Sequence, residues 1–401
     1  MVINLSTYIF ALILLSFFFY KYYKSNNKIY LILFSGFILR LVFIIFDINF
    51  DLFPYEWDTD IFTYFAREIQ VNILNSNLPY ENINESFHIL TYSTIQAIIS
   101  IITNNSEVNM RIFNSFLGAF SGIYIYKMSS IIFKNKNNAI LSTIIFLIWP
   151  SFILYTSINM REALIIYLTL YILYHAYYFK FKFNKYNLIT AFYLMLLILL
   201  KIPNLIFFAV IIIIFLIIKK MVKGKIKWYY ASVILIIFIL SGLFIIQIGI
   251  VPEFGIEQIN SQMLERTRGG SQYLVGMEYQ NSFDILKYLP IRLIHFLFGP
   301  FINNIDNIFM IGAFIDGTLI LLMFIYYLYY FFKNKLFYNN YELFLILYVI
   351  IGAAGNAVFD ANYGTSLRHR MLYIMILFIY ISPIIKRGYD YVTNHFNHNK
   401  K

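Results

Sequence analysis

The sequence predicts an all-α polytopic membrane protein, and three observations predict it. Hydrophobic residues make up 60% of the 401, mean hydropathy is +0.69, and only 13% carry a formal charge, against about 25% in ordinary soluble domains. Aromatics reach 20%, with 43 Phe and 36 Tyr, more apolar surface than so few charges can cover. Apolar runs of spanning length recur along the whole chain, a bilayer needing about 17–25 apolar residues per helix. These observations exclude a soluble enzyme, a disordered chain and a nucleic-acid binder. The absence of cysteine excludes disulfides, thiolate zinc sites and thiol catalysis. Asn and Tyr are so frequent that single ones carry no weight.

Eleven runs read as spans: Thr7–Tyr23, Ile29–Phe46, Arg111–Phe133, Ala139–Thr156, Glu162–Phe179, Tyr186–Leu200, Leu205–Ile218, Trp228–Ile250, Ile308–Phe332, Tyr341–Phe359 and Met371–Ile385. Residues 1–28 read as an extra N-terminal anchor. Their apolar run is preceded by no charge and followed by Lys21, Lys24 and Lys28, the reverse of a secretory signal. Residues 29–250 read as the membrane core, interrupted by a first outer loop over 47–110. Residues 251–307 form the second outer loop, and 308–401 the C-terminal helices.

His88–Thr103 decides the topology. It is 16 residues long and carries Ser93, Gln96 and Ser100. Read as an interfacial or re-entrant helix, it leaves 20 of the 31 cations on the inner side, in short loops such as Lys219–Lys227 and in the tail. Read as a span, it moves most of them outside, against the positive-inside rule. The 11 remaining cations are mostly arginine: Arg40, Arg67, Arg111, Arg161, Arg266, Arg268, Arg292, Arg368 and Arg370, with Lys201 and Lys287. Inner lysines set orientation. Outer arginines oppose it and suit planar, bidentate recognition of phosphate or carboxylate, although mutual pairing with outer acids is the plainer alternative.

The first outer loop contains Pro54-Tyr55-Glu56-Trp57-Asp58-Thr59-Asp60-Ile61-Phe62-Thr63-Tyr64-Phe65-Ala66-Arg67. Asp58 or Asp60 is placed to cap a helix running to about Val71, with Phe62 and Ala66 on one face. A carboxylate among aromatic rings at the membrane surface suits a general base, because desolvation strengthens it as a proton acceptor.

The spacing Asp-x-x-x-aromatic-x-x-x-Ala-Arg after an early span resembles the first-outer-loop signature of GT-C glycosyltransferases, and more narrowly the family 39-like group of protein O-mannosyltransferases and aminoarabinose transferases. The resemblance implies a GT-C-like bundle of about 11 transmembrane helices with interfacial helices in two outer loops. It implies that Asp58 is the base, with Asp60 as the other register. Trp149-Pro150, Ser157 and Met160-Arg161-Glu162 resemble the stretch that brings a second acid, here Glu162, to the outer surface. Leu199-Leu200-Lys201-Ile202-Pro203 resembles the bend at which a cation meets the carrier phosphate. The extra first span departs from the family pattern.

Later segments supply more cations. Glu265-Arg266-Thr267-Arg268-Gly269-Gly270 lets backbone and guanidinium groups approach an anion. Arg292 and His295 share a face if their segment is helical, and Arg368-His369-Arg370 opens the final span. The expected function is transfer of a sugar from a polyprenyl-phosphate donor to a hydroxyl of a glycan, lipid or protein acceptor, with inversion, on the extracytoplasmic face of the plasma membrane. Asp58, Asp60 and Glu162 are the expected catalytic carboxylates. Lys201, Arg266, Arg268, Arg292, His295, Arg368, His369 and Arg370 are the expected phosphate ligands. No metal site is evident, and a divalent cation is the one cofactor left open. The alternatives are a polysaccharide polymerase or ligase acting on lipid-linked oligosaccharide and, third, a lipid-linked sugar flippase.

Overall fold

The computed structural model describes residues 5–25, 27–50, 56–103, 106–178, 185–201, 203–222, 255–267, 270–336 and 339–398. Among these residues the chain forms 15 α-helices and one 3-10 turn, Ile302–Asn304. It forms no strand beyond a single bridge between Gln272 and Asn362. Two compact units result, Met1–Asn204 with Phe378–Lys401, and Leu205–Leu377.

The first unit holds α1 (Leu5–Ser25), α2 (Ile29–Phe50), α3 (Glu56–Leu74), α4 (Phe87–Thr103), α5 (Ser106–Phe133), α6 (Lys136–Ile148), α7 (Pro150–Tyr155), α8 (Glu162–Ala176) and α9 (Lys185–Leu200). The central element is α5, packed against α1, α2, α4, α6 and α8. Small residues permit this. A Cβ on Gly118 would lie 2.5 Å from Thr156, and one on Gly122 would lie 2.9 Å from Leu33. Close van der Waals packing of this kind holds helices together where no aqueous hydrophobic force acts between them. Phe17, Phe18 and Phe37 meet Phe116 at centroid separations of 5.4, 5.4 and 6.0 Å.

The second unit holds most of α10 (Pro203–Val222), then α11 (Ile256–Arg266), α12 (Ser282–Phe298), α13 (Ile308–Lys333), α14 (Asn340–Phe359) and the first part of α15 (Tyr363–His398), whose residues from Phe378 onward belong to the first unit. Asparagine starts its helices. Asn281 forms a capping box with Asp284, while Asn307 and Asn339 accept from Met310 N and Tyr341 N. Each side-chain oxygen satisfies an N–H that has no partner inside the helix.

By length and composition, α1, α2, α5, α13 and α14 can each cross a membrane. The predicted spans Ala139–Thr156, Glu162–Phe179 and Tyr186–Leu200 fall on shorter helices, whereas Leu205–Ile218 and Met371–Ile385 lie within α10 and α15. The run Ala139–Thr156 breaks into α6 and α7 at Trp149, because Pro150 has no N–H to continue the ladder and its ring disfavours helical dihedrals before it. At the break, Arg40 Nη1 donates to Leu147 O at 3.1 Å. The final helix begins at Tyr363, eight residues before the predicted span. Trp228–Ile250, Asp51–Tyr55 and Arg268 lie outside the described residues, as do the side chains of Glu56, Trp57 and Asp58.

The loop helix also starts early. Asp58 and Asp60 stand inside α3, which begins at Glu56 and ends at Leu74. They are therefore acids of the first two turns rather than caps, with Asp58 the better placed to meet the positive end of the helix dipole. Phe62, Ala66 and Ile69 form its buried face, packed on α4. The polar residues of α4 are used in that pairing: Ser93 Oγ donates to Phe62 O at 3.1 Å, Gln96 Nε2 to Thr63 Oγ1 at 3.3 Å, and Ser100 Oγ to Gln70 Oε1 at 2.9 Å.

Candidate active site

The polar centre of the first unit is the non-helical segment 156–161 between α7 and α8, buried except at Arg161. Beyond its local bonds to α7, it is tied to side chains from four other helices. Asn114 of α5 donates through Nδ2 to Ile158 O at 2.7 Å and Met160 O at 2.9 Å. Asn159 Nδ2 donates to Thr63 Oγ1 of α3 at 2.9 Å and to Gln96 Oε1 of α4 at 3.2 Å, and Asn159 Oδ1 accepts from Tyr92 OH at 3.2 Å. Arg111 Nε donates to Ser157 O at 3.1 Å, and Arg40 Nε to Thr156 Oγ1 at 2.7 Å. Buried amides and hydroxyls persist only when paired in this way.

This anchoring sets the start of α8. Glu162, 8% exposed, is its first residue. Arg161 Nη1 donates to Leu200 O at 3.1 Å, which brings the end of α9 and the half-buried Lys201 to the same place. A carboxylate and two cations thus collect at two helix ends. Asp60 is exposed on α3 one turn before Thr63, the residue that Asn159 grips. Asp47, Asp60, Arg67 and Arg111 all lie within electrostatic reach of Glu107. Of these, Asp47 and Arg111 form a buried pair at 2.5 Å. His88, on the first turn of α4, is pushed down to about 4 by burial and then by Arg161, with Glu85 opposing. Among the described residues no group of three or more His, Asp or Glu is arranged to hold a metal ion.

The second unit treats its charges differently. Asp360, fully buried in the turn between α14 and α15, accepts from Arg266 Nη1 at 2.6 Å and faces His369 Nδ1 at 2.9 Å. Its carbonyl accepts from Tyr273 OH at 2.8 Å and Arg292 Nη1 at 3.5 Å. Burial and the Asp360 charge push the Tyr273 phenol up, keeping it a neutral donor. Arg292 also donates to Met277 O at 2.5 Å and stacks 4.9 Å from the Tyr279 ring centroid. Arg370 is fully buried and donates to Asp316 Oδ2, Leu297 O and Gly299 O at 2.7, 2.9 and 2.7 Å. His295 Nδ1 meets Tyr363 OH at 2.8 Å, and burial pushes the imidazole down.

Residues 88–243 match the family model described as dolichyl-phosphate-mannose-protein mannosyltransferase. That segment is similar to this family, which belongs to the GT-C superfamily. No curated protein and no solved structure matches the chain. The match supports a GT-C glycosyltransferase that uses a lipid-linked sugar donor, and the apolar helices support a membrane protein.

The family segment contains Glu162 and Lys201 and excludes α3 and the second outer loop. Of the residues the sequence singles out, Glu162 and Lys201 come together in the first unit, and Asp60 is tied to them through Thr63 and Asn159. Arg266, His369 and Arg370 are joined to carboxylates, and Arg292 to carbonyls. Sequence reading missed Asp47, Asn114, Asn159 and Asp360. For Asp360 the available signal was the polar run Asp360-Ala361-Asn362 interrupting two apolar helices.

Proposed function

We propose that the protein transfers a sugar from a polyprenyl-phosphate donor to an acceptor hydroxyl on the extracytoplasmic face of the plasma membrane, inverting the anomeric carbon. The observation that carries the reading is the 2.9 Å bond between Asn159 and Thr63. It couples the helix bearing Asp58 and Asp60 to the segment ending in Arg161-Glu162, within reach of Lys201. In the reaction, one of the two α3 aspartates takes the proton of the acceptor hydroxyl. The oxygen attacks the anomeric carbon as the bond from that carbon to the phosphate oxygen breaks. The negative charge that grows on the departing polyprenyl phosphate is met by Lys201 and Arg161, fixed before the reaction begins. Glu162 orients the acceptor.

Among the expected phosphate ligands, Lys201 fits the role best, because its segment is near the acids and its family position agrees. Arg266, Arg292, His369 and Arg370 serve mainly to hold the second unit together. For Arg268, Arg368 and His295 the case for donor binding rests on the sequence alone. The acceptor is a hydroxyl of a cell-surface glycan, lipid or protein.

The test is transfer from defined polyprenyl-phosphate sugars by purified protein. Asp58→Asn and Asp60→Asn are assayed singly and together. Loss of transfer in one single variant identifies the base. Full activity in the double variant removes the proposed mechanism.

A further inference from the structure

The opposite ends of α1, α5 and α8, away from Glu162, take no part in this chemistry. There Lys127 of α5 rests between two tyrosine faces, 5.3 Å from the Tyr124 centroid and 5.0 Å from that of Tyr174. Lys21 of α1 stands 5.3 Å over Phe17. Phe17 packs 5.3 Å from Phe120, one turn before Tyr124, so α1 and α5 bring their lysines to one end. Lys21 is the charged neighbour acting on Lys127, and Lys127 in turn acts on His175. Among the described residues none of these three basic groups pairs with a carboxylate, and Lys127 Nζ makes no hydrogen bond.

Ring faces attract an ammonium but leave its three N–H donors unmet. Like charges held together without a counter-charge raise the local potential and favour an anion. An anion with several oxygens would satisfy both demands, and Tyr124 OH, 3.5 Å from Tyr167 OH, adds a neutral donor. The site belongs to a bilayer rather than to bulk water. Both α1 and α5 are long and apolar enough to span, and Lys21 and Lys127 lie near their C-terminal ends. Exposed Phe19, Tyr20 and Tyr23 flank Lys21, the side-chain type that settles at a membrane boundary. Basic pockets between spanning helices bind anionic head groups in this way.

We propose that Lys21, Lys127 and His175, with Tyr124, form a binding site for the phosphate head group of an anionic membrane phospholipid. The test uses full-length protein in neutral detergent, followed by native mass spectrometry and thermal unfolding. The probes are phosphatidylglycerol, phosphatidylcholine and inorganic phosphate. Phosphatidylglycerol should bind and raise Tm. Affinity should fall about fivefold for each lysine removed in Lys127→Gln and Lys21→Gln, while Lys127→Arg retains binding. Should Lys127→Gln not fold, Lys21→Gln on the peripheral α1 carries the test. Wild-type affinity in the folded lysine variants overturns the site. Equal stabilisation by phosphatidylcholine or by inorganic phosphate at the same concentration overturns the lipid assignment. Neither result depends on sugar transfer.

Discussion

The two units handle buried charge differently. In the second, cations meet carboxylates directly: Arg370 with Asp316, and Arg266 and His369 with Asp360. In the first, the buried Arg111–Asp47 pair stands beside a larger network of uncharged amides and hydroxyls, and Glu162, Arg161 and Lys201 lie at helix ends. A guanidinium already bonded to aspartate and two carbonyls has little to offer a phosphate, whereas the charges of the first unit gather beside the segment that the proposed reaction uses. On the proposed reading the difference separates groups that hold the protein from groups that act on substrate, and each half of that statement can be attacked.

The largest effect belongs to the acting groups. Removing the base on α3 should lower kcat by about 10²–10⁴-fold with Tm little changed, read from transfer assays beside thermal unfolding. Asp360→Asn should do the reverse, lowering Tm while kcat stays within about tenfold of wild type. A folded Asp360→Asn protein with no transfer would break the comparison.

Next comes the cost of an unpaired buried charge. Asp316→Ala leaves Arg370 without its carboxylate and should destabilise by about 3–5 kcal/mol. Replacing both residues by leucine and methionine should recover much of the loss. Denaturant unfolding of the single and double variants measures this, and no recovery in the double variant would show that the pair is not the reason.

A smaller loss follows at Asn159. Asn159→Ala removes the donors to Thr63 and Gln96 and the acceptor for Tyr92, at a cost of about 1–3 kcal/mol. Transfer should fall with it, since α3 and the start of α8 lose their link. Unaltered transfer at full occupancy of the fold would separate the segment from catalysis.

The smallest effect concerns pH. His88 sits at about 4 when folded and at its ordinary 6.5 when unfolded. The unfolded chain therefore binds more protons between these values, and stability falls as pH drops from about 6.5 to about 4. Below about 4 the dependence from this residue ends. His88→Gln should flatten that part of a Tm-against-pH curve.

Much of the fold was legible from apolar periodicity and charge. The pairing of α3 with α4 was half visible, because Phe62 and Ala66 share a face and Ser93, Gln96 and Ser100 spoil His88–Thr103 as a span. The break at Trp149 was written in Pro150 and was overlooked because the run is apolar throughout. Of the site, Glu162 and Lys201 could be found by position. Asn114 and Asn159 could not, since asparagine is common here and a single sequence does not say which amide is buried. The same limit hid the Arg370–Asp316 pair, whose members are 54 residues apart, and made paired cations resemble free ones.

The segment ending at Glu162 is held by residues of α2, α3, α4 and α5 at once. No one of these helices owns it, so drift in any single helix leaves the others gripping. Such redundancy favours graded losses over collapse and lets the surrounding membrane helices diverge in sequence while a glutamate keeps its station.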